Sequence, residues 1–325
     1  PSTIAALVEN GNAVQAPGGL VILSARAMDQ LQGSVVRNAV SVEARGMVNK
    51  DGRIVLEADH ITLTNASKLD ASGANGGGEV LVGGGWQGGG GLYQATTVTM
   101  DQGAAIDVSA TKVGSGGTAV LWSKVDNIAS QTRAYGSIWA KGGVEGGDGG
   151  RIETSGHWLD VTGSQGGAYA ANGQAGLWLF DPYNVTIVGT NTNGSWTNTN
   201  PDVFSPTASG STIDAATIVG KLNLGTSVTV TTTNAGGAEN GDITVASSIA
   251  KSSVGEATLT LQAAGSITIQ AGNEISSSGG KLNTILWANS GVNGSGYIYL
   301  GSGSSVATNG GHVWMGGGSS NTNWN

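Results

Sequence analysis

One phrase recurs along this chain and restricts what it can become. Two glycines are followed by about five residues in which every second one is apolar. It stands as Gly77-Gly78-Glu79-Val80-Leu81-Val82, as Gly116-Gly117-Thr118-Ala119-Val120-Leu121-Trp122 and as Gly149-Gly150-Arg151-Ile152-Glu153-Thr154. Ala175-Gly176-Leu177-Trp178-Leu179-Phe180 is a looser copy, and related phrases open at Gly18, Asp51 and Gly310. Alternation of this kind is the pattern of a strand with one buried face. A glycine corner used so often along one chain predicts stacked strands, an all-β solenoid, and does not by itself predict an active site.

Taken in order, residues 1–187 read as strand, corner, strand, with Ala25 to Leu31 as the one place for a helical turn. Residues 188–212 change to Asn, Thr and Ser with Pro201 and Pro206, which predicts a protruding loop. Ile213 to Asn223 predicts a short helix capped by Ser211 or Thr212 and stopped at Gly225. Strand rhythm resumes from Val228, with Leu259, Ile267 and Ile275 at intervals of eight. The expected organisation is therefore coils over 1–187, a loop and helix over 188–224, and further coils over 225–325. Eight residues per side and three sides predict coils of about 20–25 residues stacked about 4.8 Å apart. The whole would then hold roughly 13–15 coils, a rod of about 65–70 Å.

Composition excludes several classes. Hydrophobic residues make up 38% and fall in short regular runs, so the 57 glycines do not signal disorder. The net charge of −8 and scattered basic residues argue against nucleic acid and against a polybasic membrane patch. With no cysteine there is neither a disulfide nor a thiolate metal site. No apolar run reaches the roughly 18 residues of a membrane helix, so the chain is not expected to span one. It opens at Pro1 without a charged and then apolar leader, which reads as a fragment or processed product.

Gly77 to Gly84, Trp122-Ser123 followed by Tyr135-Gly136-Ser137-Ile138, Gly146 to His157 and Leu179 to Ile187 together resemble the filamentous-haemagglutinin-like and high-molecular-weight adhesins of bacterial two-partner secretion. The match is best over residues 76–187. The resemblance implies a right-handed parallel β-helix, export through an outer-membrane pore partner, and a secreted or cell-surface adhesin that attaches to host cells, other bacteria, glycans or matrix. The family's N-terminal secretion domain is not recognisable here.

Signs of catalysis are thin. His60, His157 and His312 lie too far apart in sequence for metal-ligand spacing, and neither a nucleophile elbow nor a phosphate loop occurs. The nearest acid pairs are Asp101 with Asp107, Glu145 with Asp148, and Glu153 with Asp160; turn chemistry accounts for such residues as well as a site does. No catalytic residue, metal or cofactor is expected. Trp122, Trp139, Trp158 and Trp178 follow one another at 17, 19 and 20 residues, close to one per expected coil. A column of them facing outward would be a glycan or partner surface, and a column facing inward would be packing, the plainer reading. Trp122, Trp139 and Trp158, with Trp196 in the 188–212 stretch, are the candidate binding aromatics. Asn65, Asn184, Asn193 and Asn293 carry Asn-x-Ser/Thr, and the resemblance permits glycosylation there. The expectation is a non-enzymatic adhesin shaft with 188–212 as its binding loop. A carbohydrate-active β-helix enzyme and the stalk of a contact-dependent toxin are the alternatives.

Overall fold

A computed structural model describes residues 7–25, 35–45, 52–190, 194–196, 204–206, 210–232, 240–291 and 295–318. They form a parallel β-solenoid of about 9 turns with one short helix. Each coil contributes a strand to each of three faces, except where the helix replaces a second-face strand. The first face begins with Leu7–Asn10 and the second with Val14–Gln15. The third runs unbroken through ten strands from Leu20–Ser24 to Val313–Gly317.

Alternate residues point inward and stack on their counterparts in neighbouring coils. On the third face Ile54, Val80, Ala119, Ile152, Trp178, Val228 and Leu259 stand in one register and are all buried. Ile61, Val98 and Leu159 from the first face and Leu69, Ile106 and Ile138 from the second fill the same core. Burial of this kind contributes about 1.5–3 kcal/mol for each large aliphatic side chain. Gly166 follows Ile138 in the second-face register at φ +102°, and a β-carbon there would overlap the Ile138 carbonyl oxygen. In that same coil Trp178 and Phe180 are fully buried, with ring centroids 5.6 Å apart.

The coils are fewer and longer than the sequence rhythm predicts. Eight residues per side holds from Leu259 through Ile267 to Ile275, which lie on the third, first and second faces. Elsewhere the connections grow, so register partners lie 26 residues apart at Arg53 and Glu79 but 39 apart at Glu79 and Thr118. About 9 turns stacked at strand spacing make a column of roughly 45 Å.

The helix spans Ala215–Asn223, and its N-cap is Asp214, whose side chain accepts Thr217 N–H at 2.9 Å. Ser211 and Thr212 do not cap it. They belong to a first-face strand, Ser211–Asp214, that delivers the chain to the helix. Gly225, at φ +77°, ends it as expected. The helix takes a second-face position, with Ile218 and Leu222 in the common core. Within 188–212 the Gly194–Trp196 and Phe204–Pro206 strands pair antiparallel as a hairpin belonging to no face of the solenoid. Residues 26–31 of the expected helical turn lie outside the described residues.

Candidate functional site

The tryptophans do not form a column. Coils of 26–39 residues are longer than the 17–20 that separate the tryptophans, so each successive ring falls on a different face. Trp122 lies on the third face, Trp139 on the second, Trp158 on the first, and Trp178 on the third again but inside the core. Trp122 and Trp158 are 6% and 3% exposed. Trp139 alone of these four keeps an accessible ring, with Tyr169 edge-on at 6.3 Å and the Lys141 amine 5.0 Å from its centroid. Trp196 stands opposite Phe204 in the hairpin register.

Trp122 is buried by an outgrowth of the third face, residues 83–96. Val82 ends a strand, Gly83 turns at φ +76°, and the chain loops over the outer side of the sheet before the Thr97–Met100 strand. Trp86 and Leu92 from this outgrowth pack with Leu81, Val120, Trp122, Val125 and Tyr183 in a second apolar cluster outside the solenoid core. The Trp122 indole N–H donates to Gln94 Oε1 at 3.3 Å, and the Arg151 guanidinium lies 4.5 Å from the Trp86 ring centroid. Beside this cluster His157 stacks on Tyr183 at 4.5 Å and its Nδ1 lies 2.9 Å from the Val125 carbonyl oxygen.

Beneath the outgrowth lies a fully buried acid. Glu153 accepts Gln87 N–H at 2.8 Å and the Ser155 hydroxyl at 2.9 Å. Burial pushes its carboxyl up to about 7, against the opposing pull of those two donors and of Arg151. Asp181, which pairs with Ser155 one coil further on, is pushed up to about 8 by burial of its carboxyl and then by Glu153, although part of its surface stays open.

The acid pairs expected from sequence are not the ones the fold assembles. Glu153 is on the third face and Asp160 on the first, where Asp160 accepts the Tyr135 hydroxyl at 3.1 Å. Asp107, on the second face, accepts Ser109 N–H at 2.9 Å, while Asp101 follows a first-face strand. Glu145 lies 4.0 Å from Lys112, and Asp148 accepts Gln174 N–H at 2.8 Å. The Glu153–Asp181 neighbourhood was readable: aligning the Gly149-Gly150 phrase with Ala175-Gly176 sets 155 opposite 181. Among the described residues no three His, Asp or Glu side chains converge as metal ligands. A cleft of about 760 Å³ opens at the end of the helix. Two of its side chains are engaged with one another's coils: Asn223 Oδ1 accepts Ser252 and Ser253 N–H, and Asn283 donates to Glu256 at 3.0 Å.

Asn65 is exposed at a turn and accepts Gly103 N–H at 2.9 Å, while Ser67, the hydroxyl residue of its sequon, is buried and accepts from Asn38 at 2.6 Å. Asn184 Oδ1 accepts Asp242 N–H at 2.7 Å. Asn193 and Asn293 lie outside the described residues. No helix among the described residues is long and apolar enough to cross a membrane. No family model and no curated protein matches the chain.

Proposed function

We propose that this chain is a shaft segment of a secreted bacterial surface adhesin of the filamentous-haemagglutinin-like kind, attaching its bearer to cells, glycans or matrix. Its mode of action is mechanical. Strand ladders hold each coil to its neighbours, so the column is stiff and carries recognition elements away from its anchor. The observation that supports the reading is the hairpin of Gly194–Trp196 and Phe204–Pro206, which leaves a regular stack and joins none of its faces. Irregular segments borne on rigid scaffolds are where recognition concentrates. The half-exposed Trp139 ring is a second, smaller contact surface of the same kind. On this reading export runs through an outer-membrane pore partner, and the receptor is a surface glycan or protein.

The test is attachment of protein-coated beads to epithelial cells, a glycan array and matrix proteins, with residues 191–208 replaced by a Gly/Ser linker of about eight residues. Binding is expected to fall about tenfold while the melting temperature holds. Binding untouched by the replacement removes the hairpin as the contact, and no saturable binding to any of these surfaces removes the adhesin reading. A carbohydrate-active enzyme is the second reading, favoured by Glu153 and Asp181 standing together with raised pKa values. Against it, both Glu153 oxygens are occupied under the 83–96 outgrowth. Release of reducing ends or unsaturated products from an acidic polysaccharide would turn the assignment to that reading.

A further inference from the structure

From one coil to the next, backbone ladders ordinarily run on all three faces. Thr97–Met100, Ala105–Asp107 and Thr118–Trp122 each pair in parallel with the strand of the following coil. One step keeps only one of the three. The Trp158–Asp160 strand ends one sheet and Ser211–Asp214 begins another, and on the second face the sheet ends at Gln165–Gly167, where the helix follows. A helix spends its N–H and C=O groups on its own i→i−4 bonds and offers none to a strand edge.

Side chains take over the lost ladders. Leu159 N–H donates to Ser211 Oγ at 2.9 Å, Gly163 N–H to Thr217 Oγ1 at 3.2 Å, and Ala168 N–H to Thr226 Oγ1 at 2.9 Å. The Lys221 amine donates to the Ser164 carbonyl and sits 4.3 Å from the Trp178 ring centroid, so a polar head interrupts the apolar core at the same level. The third face alone keeps its backbone pairing there, between Leu177–Phe180 and Ser227–Val230.

The strand order also reverses. Val185–Val188 precedes Ser211–Asp214 in the chain but lies beyond it in the stack, with Ile243–Val245 on its far side. A helix is about 10 Å across, two strand spacings, and two first-face strands match its height. The third face adds only Ser227–Thr231 at that level, so the three faces do not advance together.

We propose that this step is a built-in opening point. The described coils up to Pro182 and those made by residues 185–188, 211–232, 240–291 and 295–318 are two cooperative stacks, and they part here as units before either unravels. Parting at an ordinary step breaks three ladders, whereas parting here breaks one ladder and a few side-chain bonds. The opening depends on the fold alone. In a shaft under tension it is where the column yields.

Native-state hydrogen exchange on the whole chain, in graded urea below the unfolding transition, tests it. The amides of Leu159, Gly163, Ala168, Ser227 and Thr229 are expected to merge into one opening event with a clear urea dependence. They should exchange at least about tenfold faster than those of Gln131–Ala134 and Arg151–Gly156. The double variant Thr217→Val with Thr226→Val should speed that group alone. Exchange of the step's amides at the same rate as other coil boundaries, or one by one without shared urea dependence, overturns the proposal. The unmodified protein decides the matter even if the variant does not fold.

Discussion

Glu153→Gln should stabilise this protein at alkaline pH, by an amount the structure fixes. Glu153 is 0% exposed, and its carboxyl rises from 4.5 to about 7 because burial disfavours the charge. A folded-state value above the unfolded one means that the contribution is fully present below pH 4.5 and is lost as pH rises through about 7. Carried through to pH 8, that rise costs the native state about 3 kcal/mol. Glutamine keeps an oxygen for Gln87 N–H and an amide group for Ser155 Oγ, and it never ionises. The variant should therefore match the wild type within about 1 kcal/mol at pH 5 and exceed it by about 2–3 kcal/mol at pH 8. At roughly 2–4 °C per kcal/mol for a unit of 150–250 residues, the melting temperature at pH 8 should rise about 5–10 °C. Asp181 titrates with Glu153, so removing one charge also eases the other, in the same direction. Calorimetry of both proteins from pH 4.5 to 9 is the assay. A pH-independent difference, or a variant less stable at pH 8, would refute the assignment of a buried, proton-holding carboxyl beneath the 83–96 outgrowth.

Other outcomes follow from single residues. Lys221 is 2% exposed with its amine lowered from 10.5 to about 7, so its burial costs most below pH 7 and the cost fades towards pH 10.5. Lys221→Met should stabilise by about 1–3 kcal/mol at pH 6, with the gain shrinking by pH 10 in urea titrations. Trp178→Ala should cost about 3–5 kcal/mol, whereas Trp139→Ala on the outer side should cost less than about 1 kcal/mol, both read from urea midpoints. Gly166→Ala drives a β-carbon into the Ile138 carbonyl at a positive φ and should destabilise by more than about 2 kcal/mol, measured in the same way.

The fold was largely legible because its grammar is local. A glycine corner and a period-two run state where a strand starts and which side is buried, as in Gly149-Gly150-Arg151-Ile152-Glu153-Thr154. Coil length was not legible, because it depends on how much chain leaves the stack between strands, as at 83–96. The tryptophan column failed for the same reason, since regular spacing in sequence becomes rotation in space when coils are longer than that spacing. Asp214 displaced Ser211 as helix cap because a strand of the stack continues to that point, and local signals cannot tell a strand's last polar residue from a cap. The reversed order of Val185–Val188 and Ser211–Asp214 leaves no trace in sequence: both are short alternating runs that fit either place. Glu153 and Asp181 meet through register between coils, visible only once two phrases are aligned.

Successive coils stand in parallel register, and the absence of native cysteine makes that register directly measurable. Thr229 and Thr260 are register partners on the outer side of the third face. Parallel neighbours about 4.8 Å apart lie within disulfide reach, while a residue two positions off register lies beyond about 7 Å. The pair Thr229→Cys with Thr260→Cys should therefore oxidise to an intramolecular disulfide under mild conditions, and Thr229→Cys with Thr258→Cys should not. Bridging of the second pair in preference to the first would contradict the stacked register and everything built on it.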